Sequence, residues 1–405
     1  MSVYLAFLGF ILGFGLVFIT IPPLIRVSIA KHLYDKPNER KATKFIVPTL
    51  GGVAIFIGFI LSTIFATGTY AFSEFKYLIA AVIVMFFIGL KDDLMDISAR
   101  KKLLVQIATA AMLIVIGNFR FTNLQGAFGL HEISYPISFA ITLFTMIALI
   151  NAFNLIDGID GLASGLSILI SSVFGSWFLL AGHQEYGIMC FSLTGSLLAF
   201  FIYNVFGKKN KIFMGDTGSL ILGTTMVVLV IKFNEFNINQ QATYAVLNAP
   251  VVSLGILIIP VIDTLRVFLI RISERRSPFS PDMNHIHHQF LKLGNSHRRS
   301  TAYMILINIL FIGFTFSLNR ILNINNLMIS IIALGFILAY VPCLFLQRKE
   351  AAYSIAQRNV EVKAEPNLRK LIKIAESASL HSAPNEPLVI RKKVAEKEEL
   401  VESDY

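Results

Sequence analysis

Three aspartates stand together at positions 92, 93 and 96, in a DDLMD segment that directly follows a long apolar run. If the helix expected for that run continues, Asp92 and Asp96 lie on one face, one turn apart, with Asp93 beside them. Carboxylates this close repel one another unless a cation lies among them. Oxygen-only ligands favour Mg²⁺, with Mn²⁺ as a substitute. The alternative is a solvated polar turn that neighbouring Lys and Arg residues neutralise.

A second polar stretch, the Asn/Asp segment, comprises residues 151–160 and reads NAFNLIDGID. Its amide and carboxyl side chains recur at every third position, at Asn151, Asn154, Asp157 and Asp160. On a helical path this spacing keeps the polar groups close together, and Gly158 lets the chain turn and a ligand approach. A plain turn rarely has two amides and two acids in this order, so the pattern favours a binding segment.

A third motif, KIFMGDTGS at residues 211–219, places Asp216 among glycines at the start of an apolar run. An ordinary helix N-terminus explains this pattern, because Asp, Thr and Ser are common N-cap residues. The first turn of a helix also favours anions, and a lone carboxylate at a membrane surface suits a metal ion equally well. Asp216 is therefore a candidate metal ligand only in the company of the other motifs.

A fourth motif, the His motif, comprises residues 285–288 and reads HIHH, so it holds three of the eight histidines. Clustered histidines often bind Zn²⁺, but the other ligands of a zinc site are missing from this stretch. Several arginines flank the motif, including Arg275, Arg298 and Arg299. We therefore favour a flap that binds phosphate or sugar, with a zinc site as the alternative.

The elements that position these motifs are membrane helices. Hydrophobic residues make up 55% of the chain and charged residues 15%, which excludes a water-soluble surface. The apolar runs are roughly 17–25 residues long, as in membrane-crossing helices, whereas a membrane β-barrel alternates over stretches of about ten. The sequence predicts an all-α polytopic membrane protein with about 11 transmembrane helices. Cys190 and Cys343 lie in separate runs, so we expect no disulfide framework.

Basic residues concentrate in alternate loops, which predicts an external N-terminus and a cytoplasmic C-terminus. All four motifs then lie on the cytoplasmic side. The net charge of +10 reflects this topology and anion binding, and it does not indicate a nucleic-acid partner. The composition becomes highly charged after residue 347. We therefore predict a membrane catalytic domain at 1–347 and a largely disordered cytoplasmic tail at 348–405.

Taken together, the motifs resemble a known family, the polyprenyl-phosphate N-acetylhexosamine-1-phosphate transferases. The resemblance rests on PTLGG at 48–52, DDLMD, the Asn/Asp segment, KIFMGDTGS and the His motif, in this order along the chain. It implies a polytopic enzyme that transfers a sugar 1-phosphate from a UDP-sugar to a polyprenyl phosphate in the lipid bilayer. UMP would be released, and Mg²⁺ would be the cofactor.

The resemblance also implies residue roles. Asp216 is similar to the family's Mg²⁺ ligand, and Asp92 and Asp93 to the acids beside the polyprenyl phosphate. Asp92 would be the base for that phosphate or, in a double displacement, the nucleophile, and His287 would be the catalytic histidine of the flap. Phe213 would stack on uracil. The substrate-binding positions implied are Lys44, Asn154, Asp157, Gly158, Asp160, Asn204, Phe213, His285, His288 and Arg299.

The His motif reads HIHH, as in the WecA/TagO-like branch, and not HHH as in the phospho-N-acetylmuramoyl-pentapeptide transferases. This favours UDP-N-acetylglucosamine as donor, undecaprenyl phosphate as acceptor, and an active site on the cytoplasmic face of a bacterial inner membrane. The product would begin a cell-surface polysaccharide such as lipopolysaccharide O-antigen or a teichoic acid. The pentapeptide donor and a homodimer stay open. A transporter or flippase for an anionic lipid or sugar phosphate is the alternative from another class.

Overall fold

The computed structural model describes residues 2–34, 47–68, 72–277 and 284–379. Within these ranges the regular structure is helical, apart from a β-bridge between Asn123 and Glu132. A π-helical turn, Ile202–Phe206, extends the seventh helix. The helices are α1 (Ser2–Ala30), α2 (Gly51–Thr67), α3 (Phe72–Met95), α4 (Ala99–Val115), α5 (Tyr135–Leu155), α6 (Leu162–Leu180), α7 (Gln184–Phe201), α8 (Gly215–Phe236), α9 (Ala249–Ile256), α10 (Ile258–Ser273), α11 (Ile286–Lys292), α12 (His297–Leu318) and α13 (Ile324–Ser379).

Seven of the described helices are long and apolar enough to cross a membrane, and α9 with α10 adds an eighth if the pair is one bent span. The predicted class, an all-α polytopic membrane protein, is confirmed. The predicted count of about 11 spans was based on apolar runs in the sequence. Each of these runs overlaps one helix or the pair of α9 and α10. However, α2 and α4 have 17 residues each, and α3 ends in charged residues. By length and composition, the described helices therefore support fewer spans than predicted, and the orientation stays a prediction.

Helix α8 forms the centre of the bundle and is buried along almost its whole length. Two glycines let α2 and α3 approach its first turn. A Cβ on Gly52 would clash with the backbone of Gly218, and a Cβ on Gly89 would lie 2.5 Å from the Cα of Thr217. This close approach brings the aspartate-bearing end of α3 against the N-terminus of α8.

Helices α9 and α10 meet at a bend of 81°. Pro260 has no N–H, so the carbonyl of Ile256 loses its partner one turn later in the helix. Asn308 of α12 compensates for the break: its Nδ2 donates to the Ile256 carbonyl at 3.0 Å, and its Oδ1 accepts from the N–H of Ile259 at 3.4 Å. A broken helix is tolerated in a membrane protein when a neighbour satisfies the freed backbone groups in this way.

The chain divides into two compact units, Met1–Cys343 and Leu344–Tyr405. The sequence predicted a boundary after residue 347 and a largely disordered tail beyond it. Helix α13 is continuous to Ser379, and the boundary at residue 347 and the disorder of the tail stay predictions. The added stretch is rich in Ala, Glu, Lys, Gln and Arg, which have high helix propensity. Residues 380–405 lie outside the described ranges.

Candidate active site

Asp93, in the last turn of α3 beyond its apolar run, caps the N-terminus of α8. Its Oδ1 accepts a hydrogen bond from the N–H of Asp216 at 2.7 Å, and its Oδ2 accepts from the N–H and hydroxyl of Thr217 at 3.0 and 2.5 Å. A carboxylate suits the free N–H groups and positive dipole end of a first helical turn. Burial raises the pKa of Asp93 to about 6, although the bonds from Thr217 and Asp216 oppose this shift. Asp93 therefore fixes the position of Asp216.

Lys102, in the first turn of α4, joins Asp92 to Asp216. Its Nζ lies 3.0 Å from Asp92 Oδ2 and 2.6 Å from Asp216 Oδ2. The other oxygen of Asp92 accepts from the N–H of Ile97 at 2.5 Å. Burial opposes ionisation of Asp92, but hydrogen bonds with Asp216, Ile97 and Lys102 outweigh burial and lower its pKa. The two acids thus share one ammonium group.

Asp96, the third acid of DDLMD, does not belong to this cluster. Helix α3 ends at Met95, and Asp96 adopts a left-handed conformation with φ of 46°. Its side chain is exposed, and its N–H donates to the carbonyl of Asp92 at 3.1 Å. The expectation of three carboxylates around one cation fails here, because the helix ends before Asp96 can return to the face of Asp92.

The Asn/Asp segment runs from the end of α5 to the same cluster. The Nδ2 of Asn154 donates to Asp216 Oδ1 at 2.5 Å and to the hydroxyl of Ser219 at 2.8 Å. Asp157 follows in the turn after α5. Burial raises the pKa of Asp157 well above its ordinary value, and the charges of Asp216 and Asp93 add to the shift. The charges of Asp216 and Asp93 thus make the potential at Asp157 more negative, and a bound cation would offset that contribution.

Asp160 is the centre of a second ionic group. Its Oδ2 lies 2.7 Å from the Nζ of Lys211 and 3.1 Å from the Nδ1 of His297. Burial opposes ionisation of Asp160, but His297 and Lys211 outweigh burial and lower its pKa. Lys211 also lies 5.4 Å from the ring centre of Phe213, the predicted uracil-stacking residue. An ionised acceptor and an aromatic ring are thus close neighbours.

Asn204, in the π-helical turn after α7, uses both ends of its side-chain amide within the protein. Its Oδ1 accepts from the N–H of Gly161 at 2.6 Å, and its Nδ2 donates to the carbonyl of Ile212 at 2.9 Å. Asn204 thereby joins the end of the Asn/Asp segment to the stretch that leads into α8. This contact is structural, and the predicted substrate contact of Asn204 stays a prediction.

The His motif lies over the Asn/Asp segment. The Nε2 of His287 is so near Gly158 that a Cβ at this position would clash with it. The ring of His287 is stacked on that of His285, with centres 5.6 Å apart, and its centre is 4.3 Å from that of His288. Burial lowers the pKa of His287 to about 3, although the charge of Asp263 opposes the shift. The His287 imidazole is therefore neutral near pH 7.

The donor atoms in this site suit a hard cation. Among the described residues, no three His, Cys, Asp or Glu side chains form a ready metal cage. Asp92 and Asp216 nevertheless converge on the Lys102 ammonium, where positive charge is already stabilised. Carboxylate oxygens of this kind fit Mg²⁺ or Mn²⁺, which complete their coordination with water and substrate phosphate. In the His motif, His285 Nδ1 pairs with Asp263 at 3.0 Å, which does not favour the zinc alternative.

Two predicted positions are not placed at the site. Lys44 lies outside the described residues. Arg299 is exposed, and its backbone N–H donates to the Ser296 hydroxyl at 3.4 Å. The adjacent Arg298 instead reaches the π-helical turn, where its guanidinium donates to the carbonyl of Val205 at 2.8 and 3.1 Å. The ligand role of Arg299 stays a prediction.

Sequence reasoning missed three residues that the structure places at the site. Lys102 follows Arg100 and Lys101, and nothing in this basic run marks it as the one that reaches the acids. His297 contacts Asp160 but is not part of the His motif. The sequence does contain a signal for Asp263, because a carboxylate within a membrane helix is costly and usually has a functional partner.

Comparisons with known proteins show the family of this chain. Residues 75–234, which include the acids of α3, the Asn/Asp segment and Asp216, match the glycosyl transferase family 4. The chain belongs to this family. The undecaprenyl-phosphate alpha-N-acetylglucosaminyl 1-phosphate transferase of Escherichia coli O157:H7 is 33% identical, over 69% of this chain and 75% of its own length. A probable undecaprenyl-phosphate N-acetylglucosaminyl 1-phosphate transferase of Bacillus subtilis (strain 168) is 32% identical, over 84% of this chain and 89% of its own.

Proposed function

We propose that this protein transfers N-acetylglucosamine 1-phosphate from UDP-N-acetylglucosamine to undecaprenyl phosphate and releases UMP. The names of its relatives in Escherichia coli and Bacillus subtilis describe this kind of transfer. The observation that carries the proposal is Lys102 between Asp92 and Asp216, at the end of an apolar bundle. Two carboxylates around one ammonium group could hold a divalent cation at this position, and that cation would offset the charge of two anionic phosphates.

In the proposed reaction, an oxygen of the acceptor phosphate attacks the phosphorus atom that carries the sugar. A new P–O bond forms, and the bond from this phosphorus to the oxygen of UMP breaks, so that UMP leaves with the electron pair. Asp92 accepts the remaining proton of the acceptor phosphate, whose second pKa is about 6. A double displacement with Asp92 as nucleophile is the alternative route. Positioning and positive charge contribute most to such phosphoryl transfers.

We propose that Asp216, with Asp92 beside it, holds Mg²⁺, and that Mn²⁺ can substitute. When bound, the cation neutralises charge on the diphosphate of the donor. The protein prepares this position in two ways. Asp93 fixes the first turn of α8 through the N–H groups of Asp216 and Thr217, and Asn154 donates to the Asp216 carboxylate. These contacts leave Asp216 little freedom to rotate away.

The donor would lie between the Asn/Asp segment and the His motif. The ionised carboxylate of Asp160 is an acceptor for the N–H of a uracil ring, and Phe213 offers its face beside it. The neutral imidazole of His287 supplies one hydrogen-bond donor and one acceptor to the sugar phosphate. The further donor contacts that we propose are Lys44, Asp157, Gly158, Asn204, His285, His288 and Arg299.

The acceptor chain would occupy an apolar cavity of about 480 Å³ between α5, α8, α9 and α10. Asn151 and Ala152 line this cavity, so it reaches the start of the Asn/Asp segment. Phe144 and Leu265 also line it and are 74% and 42% exposed on the outside of the bundle. A hydrocarbon chain could therefore enter sideways from the bilayer while its phosphate approaches the acids. We place the site on the cytoplasmic face of a bacterial inner membrane, as the loop charges predict.

The test is release of UMP by purified protein given undecaprenyl phosphate, Mg²⁺ and each of several UDP-sugars. We expect release that requires the lipid and is fastest with UDP-N-acetylglucosamine. A preference for UDP-N-acetylgalactosamine would change the sugar but keep the reaction. Absence of UMP release by folded protein with every donor would contradict the proposed transfer.

A further inference from the structure

Helix α10 carries a buried ionic group that the proposed reaction does not use directly. Asp263 is 0% exposed, Arg266 is 1% exposed and His285 is 4% exposed. Charged side chains inside a membrane helix are costly, and they are retained mainly where they serve a function. Their partners show what that function is.

Asp263 and Arg266 bind the chain where the His motif begins. Asp263 Oδ1 accepts from the N–H of Ile286 at 2.9 Å, and its Oδ2 is 3.0 Å from the Nδ1 of His285. Arg266 Nη2 donates to Asp263 Oδ1 at 3.2 Å and also to the carbonyl of Asn284. Two residues one turn apart on α10 therefore hold three consecutive residues of the flap. The Asp263 carboxylate also caps the first turn of α11.

The contact with Asp263 also determines which ring nitrogen of His285 carries a proton. Because the Asp263 carboxylate can only accept, the Nδ1 of His285 carries a proton and donates to it. This bond fixes the plane of the His285 ring, and the His287 ring is stacked on it with planes 11° apart. The orientation of His287 therefore depends on the hydrogen bond between His285 and Asp263.

His287 itself has no hydrogen bond that would orient it. It is 1% exposed, and neither ring nitrogen has a hydrogen-bond partner among the described residues. A buried polar group without a partner destabilises the fold, so such a group usually awaits a ligand or is held by its surroundings. Its Nε2 faces Gly158, in the segment that carries Asp157 and Asp160.

We infer that Asp263 and Arg266 are positioning residues: they anchor Asn284, His285 and Ile286 so that His287 is held, unpaired, over Gly158 for the substrate. The identity of that substrate rests on the proposed function, but the anchoring does not. Asp263 and Arg266 act through the His motif and touch neither the carboxylate cluster nor Lys102. Their loss should therefore release the flap and leave the rest of the site in place.

The first test measures access to His287 and needs no turnover. Diethylpyrocarbonate acylates accessible neutral imidazoles, and mass spectrometry locates each modified histidine. In the wild-type protein His287 should react slowly, whereas exposed His131 should react quickly. We expect Asp263→Asn to raise the rate of labelling at His287 at least about tenfold. The NH₂ group of Asn would repel one of the two N–H groups that the Asp263 carboxylate binds. His131 should not change.

Two further variants keep this test decisive. Asp263→Asn alone leaves Arg266 as an uncompensated buried charge, which can prevent folding. Asp263→Asn with Arg266→Gln removes both charges, and size-exclusion chromatography in detergent verifies its fold. The matched control is Ser138→Ala, which removes buried hydrogen bonds to Phe121 and Arg120 at the other end of the bundle. Slow labelling of His287 in a folded double variant would overturn the inference.

The second test is a kinetic cycle between Asp263→Asn and His287→Ala. We expect each variant to lower kcat on the order of 100-fold, as small misplacements of a reacting group do. The combined variant should be no slower than His287→Ala, because Asp263 acts through His287. Multiplied losses would mean that Asp263 has a separate structural role and would contradict the inference. The two proposals can fail separately. If the wild-type protein releases no UMP but His287 is labelled faster in the Asp263 variants than in the wild-type protein, the proposed reaction is refuted and the anchoring is supported.

Discussion

The two ends of α8 handle buried charge in different ways. Asp216 lies in its first turn, and Lys232 lies near its last turn, roughly 24 Å away at the rise of an α-helix. Both residues form an ion pair, Asp216 with Lys102 and Lys232 with Glu74. The surroundings of the two pairs nevertheless differ in what they leave unpaired.

The Lys232 end is closed on itself. The Lys232 ammonium lies 2.5 Å from Glu74, and the Tyr186 hydroxyl donates to the same carboxylate oxygen at 3.0 Å. The ammonium also faces the rings of Phe119, Tyr186 and Phe236 at 4.8, 5.8 and 5.6 Å. Cation–π contacts and an ion pair together satisfy this charge. The arrangement stabilises the bundle, because among the described residues each of these charged groups has a partner of its own.

The Asp216 end is incomplete by comparison. Two acids share Lys102, and the pKa of Asp157 is raised by burial and by its acidic neighbours. Neither nitrogen of His287 has a hydrogen-bond partner within the part of the chain that the structure describes. A bound cation would relieve the crowding of the acids, and a ligand with a hydrogen-bonding group would satisfy the His287 ring. Both ends of α8 have an ion pair, so ion pairs alone do not distinguish them. Incompletely satisfied buried groups do, and such groups are typical of functional sites.

The largest expected effect separates the two ends by turnover. Asp216→Asn should lower kcat on the order of 1000-fold, because in the proposed reaction it removes the charge that would hold Mg²⁺ beside the donor diphosphate. The Mg²⁺ concentration needed for half-maximal activity should rise. Asp96→Asn is the matched control, since Asp96 is exposed and Asn tolerates its left-handed backbone. Near-normal activity of Asp216→Asn would remove Asp216 from the metal role.

Lys102→Met should lower kcat by about 100-fold, because Asp92 and Asp216 then repel each other without a shared cation. Lys101→Met changes the exposed neighbouring lysine and should leave kcat near the wild-type value. Initial rates of UMP release over a range of Mg²⁺ concentrations measure both variants. Equal losses in the two variants would mean that Lys102 acts only through the general charge of the loop.

Gly158→Ala should lower kcat by about 10- to 100-fold, since the new methyl group pushes His287 out of place. Gly313→Ala is the matched control, because nothing lies within 4 Å of the Cβ it would add. Diethylpyrocarbonate labelling of His287 should become faster in Gly158→Ala alone. Unchanged labelling together with full activity would show that the contact between Gly158 and His287 is dispensable.

At the other end of α8, Lys232→Met should affect stability and not chemistry. We expect a loss of about 1–2 kcal/mol from the half-exposed ion pair and the cation–π contacts. The melting temperature in detergent should fall, while kcat per folded molecule stays unchanged. A large drop in kcat with an unchanged melting temperature would reverse the assignment of the two ends.

The smallest expected effect is a pH dependence of stability at the His motif. His287 has a pKa of about 3 in the folded protein against an ordinary value of 6.5, so only the unfolded chain binds a proton between these values. The stabilisation is therefore complete above pH 6.5 and is lost as the pH falls toward 3. His287→Gln should reduce the drop in melting temperature between pH 7 and pH 5. The same substitution at exposed His131 should not change that drop.

The sequence was sufficient to predict an all-α membrane protein and to single out the four polar motifs, because apolar runs and polar clusters are local features. It was not sufficient to assign roles to individual polar residues. Asp92 and Asp93 are adjacent in sequence, yet one binds Lys102 and the other caps α8. The link from Asp263 to His285 spans 22 positions and depends on how α10 packs against the flap. Such contacts follow from tertiary packing, which spacing along the chain does not encode.

The apolar cavity that Phe144 and Leu265 line would have a kinetic consequence if the acceptor enters through it. Such a substrate diffuses within the membrane and not in bulk water. Its effective concentration is therefore its mole fraction among the surrounding lipids or detergent. Added detergent would therefore slow the enzyme by dilution at the surface, at constant total amounts of protein and acceptor. The UDP-sugar, which arrives from water, would obey its ordinary volume concentration. A single catalytic centre would thus follow two different concentration scales.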